Sequence, residues 1–177
     1  MFSDSLKHSQ ESTDPEAGRI IEAIIRSTRP LRMLEIGACR GDGAEVWVQT
    51  LQEWSGLYVG VELSQGNLEQ LVPRLSKYSN AIIIPGSSQE PYIVERVSYY
   101  APYSFVYING SHRLNDAKFD IETYGDMLTP DGVIAVHDAM DFGFPKDLFP
   151  HLSNIDYVLI PTFRYPTRYG LALLQRR

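Results

Sequence analysis

Apolar residues along this chain recur at two spacings, and the switching between them lays out a succession of helices and strands. Ile20, Ile21, Ile24 and Ile25 fall at helical spacing, in a segment that opens with Asp14 as candidate cap and Pro15 at the first helical position. Leu31 to Ile36 is a short apolar run stopped by Gly37. Ala44, Trp47, Val48 and Leu51 then line one face of a helix predicted over Ala44 to Trp54. The pairing repeats. Strands are predicted at Leu57 to Val61, Ala81 to Ile84 and Phe105 to Ile108, with helical patterns at Asn67 to Lys77 and Pro91 to Tyr100 between them. Pro73 should shorten or kink the first of those helices. Ala117, Ile121, Tyr124 and Leu128 mark the longest helical stripe, and Val133 to Val136 is the fifth strand.

These strands are continuously apolar rather than alternating, which implies burial on both faces of a parallel sheet held between helices. The end of the chain differs. Tyr157 to Ile160 and Leu171 to Leu174 read as strands with no helix between them, so they predict an antiparallel hairpin closing an otherwise parallel sheet. Residues 1–14 carry few apolar side chains and read as a flexible lead-in, leaving residues 15–177 as a single α/β domain.

Charge narrows the partners. With 16 Lys+Arg against 22 Asp+Glu the formal charge is −6, so no nucleic acid partner is expected for the surface as a whole. The single cysteine, Cys39, forms no internal disulfide and reads as a small packed residue. No apolar run approaches the length of a membrane span, and the polar start does not resemble a secretion signal. The expectation is a soluble, cytoplasmic protein with no membrane partner.

In an open parallel sheet, ligands bind beyond the carboxyl ends of the strands where the strand order reverses. The residues after the first predicted strand are Gly37-Ala38-Cys39-Arg40-Gly41-Asp42-Gly43, preceded by Glu35. Glycines let the backbone turn sharply and approach a ligand. Glu62 follows the second strand, 25 residues beyond Gly37, about where an acidic side chain receives ribose hydroxyls. Cys39 and Asp42 interrupt the G-x-G-x-x-G pattern of dinucleotide sites, and no G-x-x-x-x-G-K-[ST] loop is present. Glu35 would repel a pyrophosphate, and a carboxylate there suits a ligand with a cationic end. S-adenosylmethionine (SAM), with its ammonium and sulfonium, is such a ligand.

The stretch MLEIGACRGDGAEVW resembles the first motif of class I SAM-dependent methyltransferases, and VGVELS resembles the second. FVYINGSHRLNDAKFDIETYGDMLTPDGVIAVHD, from Phe105 to Asp138, resembles a subgroup of small-molecule O-methyltransferases that act in sugar, macrolide and cephalosporin pathways. The resemblance spans residues 30–140 and implies a Rossmann-like fold. That fold has a mostly parallel seven-stranded sheet with a C-terminal antiparallel β-hairpin and helices on both faces. It implies that Glu35, Gly37 and Gly41 line the methionine end of SAM and that Glu62 holds the ribose. Ser87 and Ser88 would meet the adenine, with Asn109 and Gly110 facing the methyl-donor region. The alternative is that Gly37 and Gly41 are plain turn glycines and Glu62 a solvated strand end.

The chain departs from the metal-using members at Asn109-Gly110-Ser111, where those carry Asp-Gly-Asp. Asp138 is present at the second metal position. Asn109 and Asp138 are therefore the candidate ligands for Mg²⁺, with two fewer carboxylates to hold it. His112 and Asp138 are the candidate catalytic residues. An imidazole neutral at pH 7 can take a proton from an acceptor hydroxyl, while the alternative is that His112 caps the next helix or bonds Asp138 structurally. His137, its neighbour on the strand, reads as packed in the sheet. Acceptor specificity is expected from Ala139 to Leu152 and from the Arg- and Tyr-rich segment Phe163 to Tyr169. With no cap domain, the pocket for a small-molecule acceptor must be small, open, or completed by residues 1–14 or a second copy of the chain. The leading function is O-methylation of a small hydroxylated metabolite such as a saccharide. The alternative is a SAM- or nucleoside-binding module with a regulatory role.

Overall fold

The computed structural model describes residues 15–161 and 170–177. In chain order the elements are α1 (Pro15–Thr28), β1 (Arg32–Ile36), α2 (Asp42–Gln52), β2 (Leu57–Glu62), α3 (Gln65–Leu75), β3 (Ala81–Pro85), α4 (Pro91–Ser98), β4 (Tyr103–Ile108), α5 (Leu114–Gly125), β5 (Leu128–His137), β6 (Ile155–Ile160) and β7 (Leu171–Arg176). Two short helical turns, Phe144–Leu148 and Phe149–His151, lie between β5 and β6.

The strands form one sheet in the order β3-β2-β1-β4-β5-β7-β6. Strands β1 to β5 pair in parallel, and β7 runs antiparallel between β5 and β6. This is the Rossmann-like α/β arrangement with a closing hairpin that the apolar runs predict. Strand periodicity divides the core into two layers. Leu34, Val59, Val106 and Ile134 face one side, where Ile93 of α4 and Ile121 and Tyr124 of α5 cover them. Met33, Tyr58, Phe105 and Ala135 face the other, against Ile21 and Ile25 of α1, Trp47 and Leu51 of α2 and Leu71 of α3. The strands are therefore apolar at successive positions because each face buries its own set.

Three local readings are corrected. Leu128, placed on the last helical stripe, begins β5 and pairs with Tyr103, because α5 ends at Gly125. The third helix starts earlier than Asn67, at Gln65, with the Ser64 hydroxyl accepting from the Asn67 amide at 3.4 Å. It also stops at Leu75 rather than Lys77, two residues past Pro73. Proline there removes only one amide, close to an end that is already losing its intrahelical partners. The lead-in at 1–14, including the Asp14 cap, and the Phe163 to Tyr169 segment lie outside the described residues.

Strand order reverses between β1 and β4, so the connections from β1 and β4 leave in opposite directions. A crevice opens there at the carboxyl ends of the strands. Everything that follows concerns that edge.

Candidate functional site

A cavity of about 530 Å³ occupies this edge, lined by residues that follow β1, β2, β3, β4 and β5. Its size lies within the range of small-molecule and cofactor sites. Gly37, Glu62, Ser87, Ser88, Asn109, Gly110, His112 and Asp138 all border it. Glu35 and Gly41 do not. Glu35 instead borders a small crevice beneath the glycine loop, shared with Gly37, Cys39, Arg40 and Asn109.

The glycine loop is shaped by close backbone approach. Gly37 has φ +85°, and a Cβ built on it would lie 2.3 Å from the carbonyl oxygen of Asn109. Only a residue without a side chain lets the ends of β1 and β4 meet this closely. The amides of Gly37 and Ala38 donate to the Val61 carbonyl at 2.9 and 3.1 Å, which ties the loop to β2 as well. Gly41, also at φ +85°, stands just before α2 and would place a Cβ 2.7 Å from the Leu71 side chain. It serves the packing of α2 against α3.

Glu35 is 2% exposed. Its carboxyl accepts from the Tyr58 hydroxyl at 2.5 Å and from the Trp47 indole at 3.4 Å. Burial pushes the carboxyl up to about 7, opposed by those two hydrogen bonds and reinforced by the charge of Glu62. Glu35 thus braces the underside of the loop.

Glu62 is 6% exposed and is no solvated strand end. Its carboxylate accepts from the Cys39 amide at 2.7 Å, the Ser64 amide at 2.7 Å and the Asn67 side-chain amide at 3.2 Å. A carboxylate offers about four acceptor positions, so capacity remains for a ligand hydroxyl. Cys39, at φ +51°, reaches the cavity wall and supplies the amide that links the glycine loop to Glu62.

On the opposite wall, the register Ile108↔Val136 brings the residues after β4 and β5 side by side. His112 Nε2 lies 2.8 Å from Asp138 Oδ2. His137 Nδ1 lies 3.3 Å from Asp138 Oδ1, and its ring packs edge-on to Tyr107. Burial alone would raise the Asp138 carboxyl, but the two histidines outweigh it and hold the group below the ordinary carboxylate value. His112 does not cap α5, whose cap position is Arg113. The imidazole also stacks on Phe142, ring centroids 4.2 Å apart and planes 7° from parallel. Phe142 has φ +57° and Asp138 φ +53°, so two non-glycine residues hold left-handed conformations in one turn after β5. Such strain persists where surrounding contacts over-determine it, and it is concentrated at functional sites.

Asn109 and Asp138, the pair expected to hold Mg²⁺, contribute one neutral amide and one carboxylate that two histidines already engage. Among the described residues no three His, Cys, Asp or Glu side chains gather as a metal set. That donor set is a poor match for a hard cation with six oxygen ligands.

The sequence pattern did not single out Gln89 and Asn67, which border the cavity, and it marked Phe142 only as part of the segment Ala139 to Leu152. The signal for Asn67 was present: Ser64 three residues earlier marks a helix start directly after Glu62. Nothing local marks Phe142, whose place comes from the turn conformation.

A family model described as a methyltransferase domain matches residues 34–139. No curated protein sequence matches the chain. Among solved structures, the O-methyltransferase from Bacillus cereus in complex with S-adenosylhomocysteine (SAH) superposes with a TM-score of 0.76 at 14% identity, covering 94% of this chain and 82% of that one. SAH-bound PaMTH1 from Podospora anserina gives 0.73 at 17% identity, covering 95% and 81%. The SAM-bound O-methyltransferase TomG from Streptomyces achromogenes gives 0.70 at 17%, covering 93% and 82%. At these identities the likeness is one of fold.

Proposed function

Because this chain belongs to the methyltransferase-domain family, we propose that it binds SAM in the cavity and methylates a hydroxyl of a small molecule. The observation that carries this reading is the arrangement of the two walls. A carboxylate and a glycine loop stand on one side, and a histidine fixed by a carboxylate stands on the other, across one cavity. SAM supplies an electrophilic methyl group on a sulfonium. The chain supplies alignment, a proton acceptor and exclusion of water.

The residues present fit the cofactor. Gly37 borders the cavity with its backbone, and Glu62 keeps acceptor capacity for a ribose hydroxyl. Ser87 and Ser88, after β3, border the cavity where the adenine would lie, and Asn109 and Gly110, after β4, border it where the methyl donor would face. Glu35 and Gly41 support the methionine end indirectly, through the loop they hold.

His112 is the proposed general base. With Nε2 facing Asp138, the neutral imidazole carries its proton on Nε2 and its lone pair on Nδ1, so Nδ1 takes the acceptor's hydroxyl proton. Asp138 fixes that tautomer and stabilises the imidazolium that forms. The acceptor enters on this side, beside Phe142 and the segment Ala139 to Leu152. A saccharide or other polyhydroxylated metabolite is the favoured class.

The test is methyl transfer from labelled SAM across a panel of hydroxylated small molecules, with His112→Ala compared to the native chain. The variant should bind SAH as the native chain does while turnover falls at least about tenfold. Equal turnover would remove His112 as the base. SAM binding with no transfer to any acceptor would favour a regulatory binding module instead.

A further inference from the structure

The imidazole of His112 is held on two sides, and both contacts come from the turn after β5. Asp138 Oδ2 lies 2.8 Å from Nε2, within hydrogen-bonding range. Phe142 covers one face of the ring, 4.2 Å between centroids and 7° from parallel. Within the turn, the Asp141 amide donates to the Asp138 carbonyl at 3.1 Å, and the Phe142 amide to the Asp141 carboxylate at 2.8 Å. The Phe142 ring is backed by Phe144, which is 1% exposed and lies 6.1 Å away between centroids.

Hydrophobic burial does not account for Phe142. The residue is 45% exposed, and its φ of +57° is a conformation that a bulky side chain rarely adopts. Glycine takes that conformation most easily, yet the chain places a large ring there, nearly half in water. What the ring gains is the face of the imidazole.

The two contacts restrain different motions. The χ2 torsion of a histidine is broad and roughly two-fold, so the ring rolls easily about its own axis. A hydrogen bond at Nε2 chooses between the two flipped orientations. It holds the roll only weakly, because Nε2 lies close to the axis of rotation. A flat ring at stacking distance fixes the plane itself, and with it the direction of Nδ1.

We propose that Phe142 is a positioning residue that fixes the plane of the His112 imidazole, so that the Nδ1 lone pair stays aimed at the acceptor hydroxyl. It acts through His112 and touches no reacting atom in this role. The inference rests on the reading of His112 as the base and deepens it. A general base works only within hydrogen-bond reach of its proton, and a misplacement of about 1 Å costs on the order of 10²-fold in rate.

The experiment compares Phe142→Leu, Phe142→Gly and Phe142→Tyr with the native full chain, using labelled SAM and a panel of monosaccharides and phenols as acceptors. Leucine keeps apolar bulk at the same backbone cost but offers no flat face. Glycine removes the ring and takes φ +57° without cost, so it keeps the test open if the leucine variant does not fold. Both should lower kcat at least about tenfold, with acceptor KM and SAH affinity within about threefold of native, while tyrosine recovers most of the loss. Proton NMR reads the position directly, with the His112 ring signals assigned by their absence in His112→Ala. A stacked aromatic ring shields them, so they should lie upfield in the native and tyrosine proteins and move downfield in the other two. Native kcat in the ringless variants, an equal loss in the tyrosine variant, or ring signals that do not move overturns the proposal alone. So does a fall in SAH affinity that matches the fall in kcat. No methyl transfer by the native chain, or undiminished transfer by His112→Ala, overturns the reading of His112 as the base and this inference with it.

Discussion

Glu35 and Gly37 stand two residues apart, and between them they show what a site residue does before any ligand arrives. Glu35 is a buried carboxyl whose proton affinity rises from the ordinary 4.5 to about 7 on folding. Folding therefore takes up protons in that window, and the stabilisation present at low pH is lost as the pH rises through about 7. Asp120, pushed up to about 7 from 3.8 by its own burial, adds a second decline of the same sign. Urea denaturation between pH 5 and 8 should show stability falling with pH. Glu35→Gln should flatten part of that fall, whereas an unchanged slope would mean that the carboxyl titrates normally. Gly37→Ala is expected to lose more than about 2 kcal/mol, since φ +85° and the Asn109 carbonyl both oppose a Cβ. Thermal melting measures it, and native-like stability would contradict the close approach. The sequence pattern marks both positions as special. It does not distinguish a carboxylate that faces the ligand from one that supports the loop, because that depends on Trp47 and Tyr58, which come from other elements.

Among the elements, α5 does most to join the core to the site. Its apolar side, Ala117, Ile121 and Tyr124, packs on the sheet, and the Tyr124 hydroxyl reaches the β3–α4 loop to donate to the Ser88 carbonyl. Ile121 is fully buried, and Ile121→Ala should cost roughly 2–5 kcal/mol in denaturant unfolding. A cost below about 1 kcal/mol would mean that the helix does not pack as described. Periodicity made this helix legible but overran its end, since Leu128 continues the spacing by coincidence and belongs to β5. The turn after β5 was not legible at all. Aspartate enters the left-handed region more readily than most residues, but Phe142 has no such tendency, so no local composition announces the conformation that places its ring against His112. The long-range contact chooses that conformation.

At the scale of the whole molecule, the apolar runs mark the strands, and the cavity follows from the order in which the sheet arranges them. Residues 30–140 carry the pattern that points to a cofactor, and nothing comparable points to an acceptor. The residues proposed to meet the cofactor sit at or just after strand ends, whose positions the sheet dictates. The proposed acceptor side is the irregular segment after β5, which no period governs. No helix among the described residues is long and apolar enough to cross a membrane. The strand-end cavity is proposed as a SAM site with Glu62 as its ribose-binding carboxylate. Calorimetric titration of SAH into the native chain and into Glu62→Ala tests this. Saturable binding at one site per chain is expected, weakened at least about tenfold in the variant by the loss of a charged hydrogen-bond acceptor. Equal affinity in the two proteins, or no binding by the native chain, would contradict it.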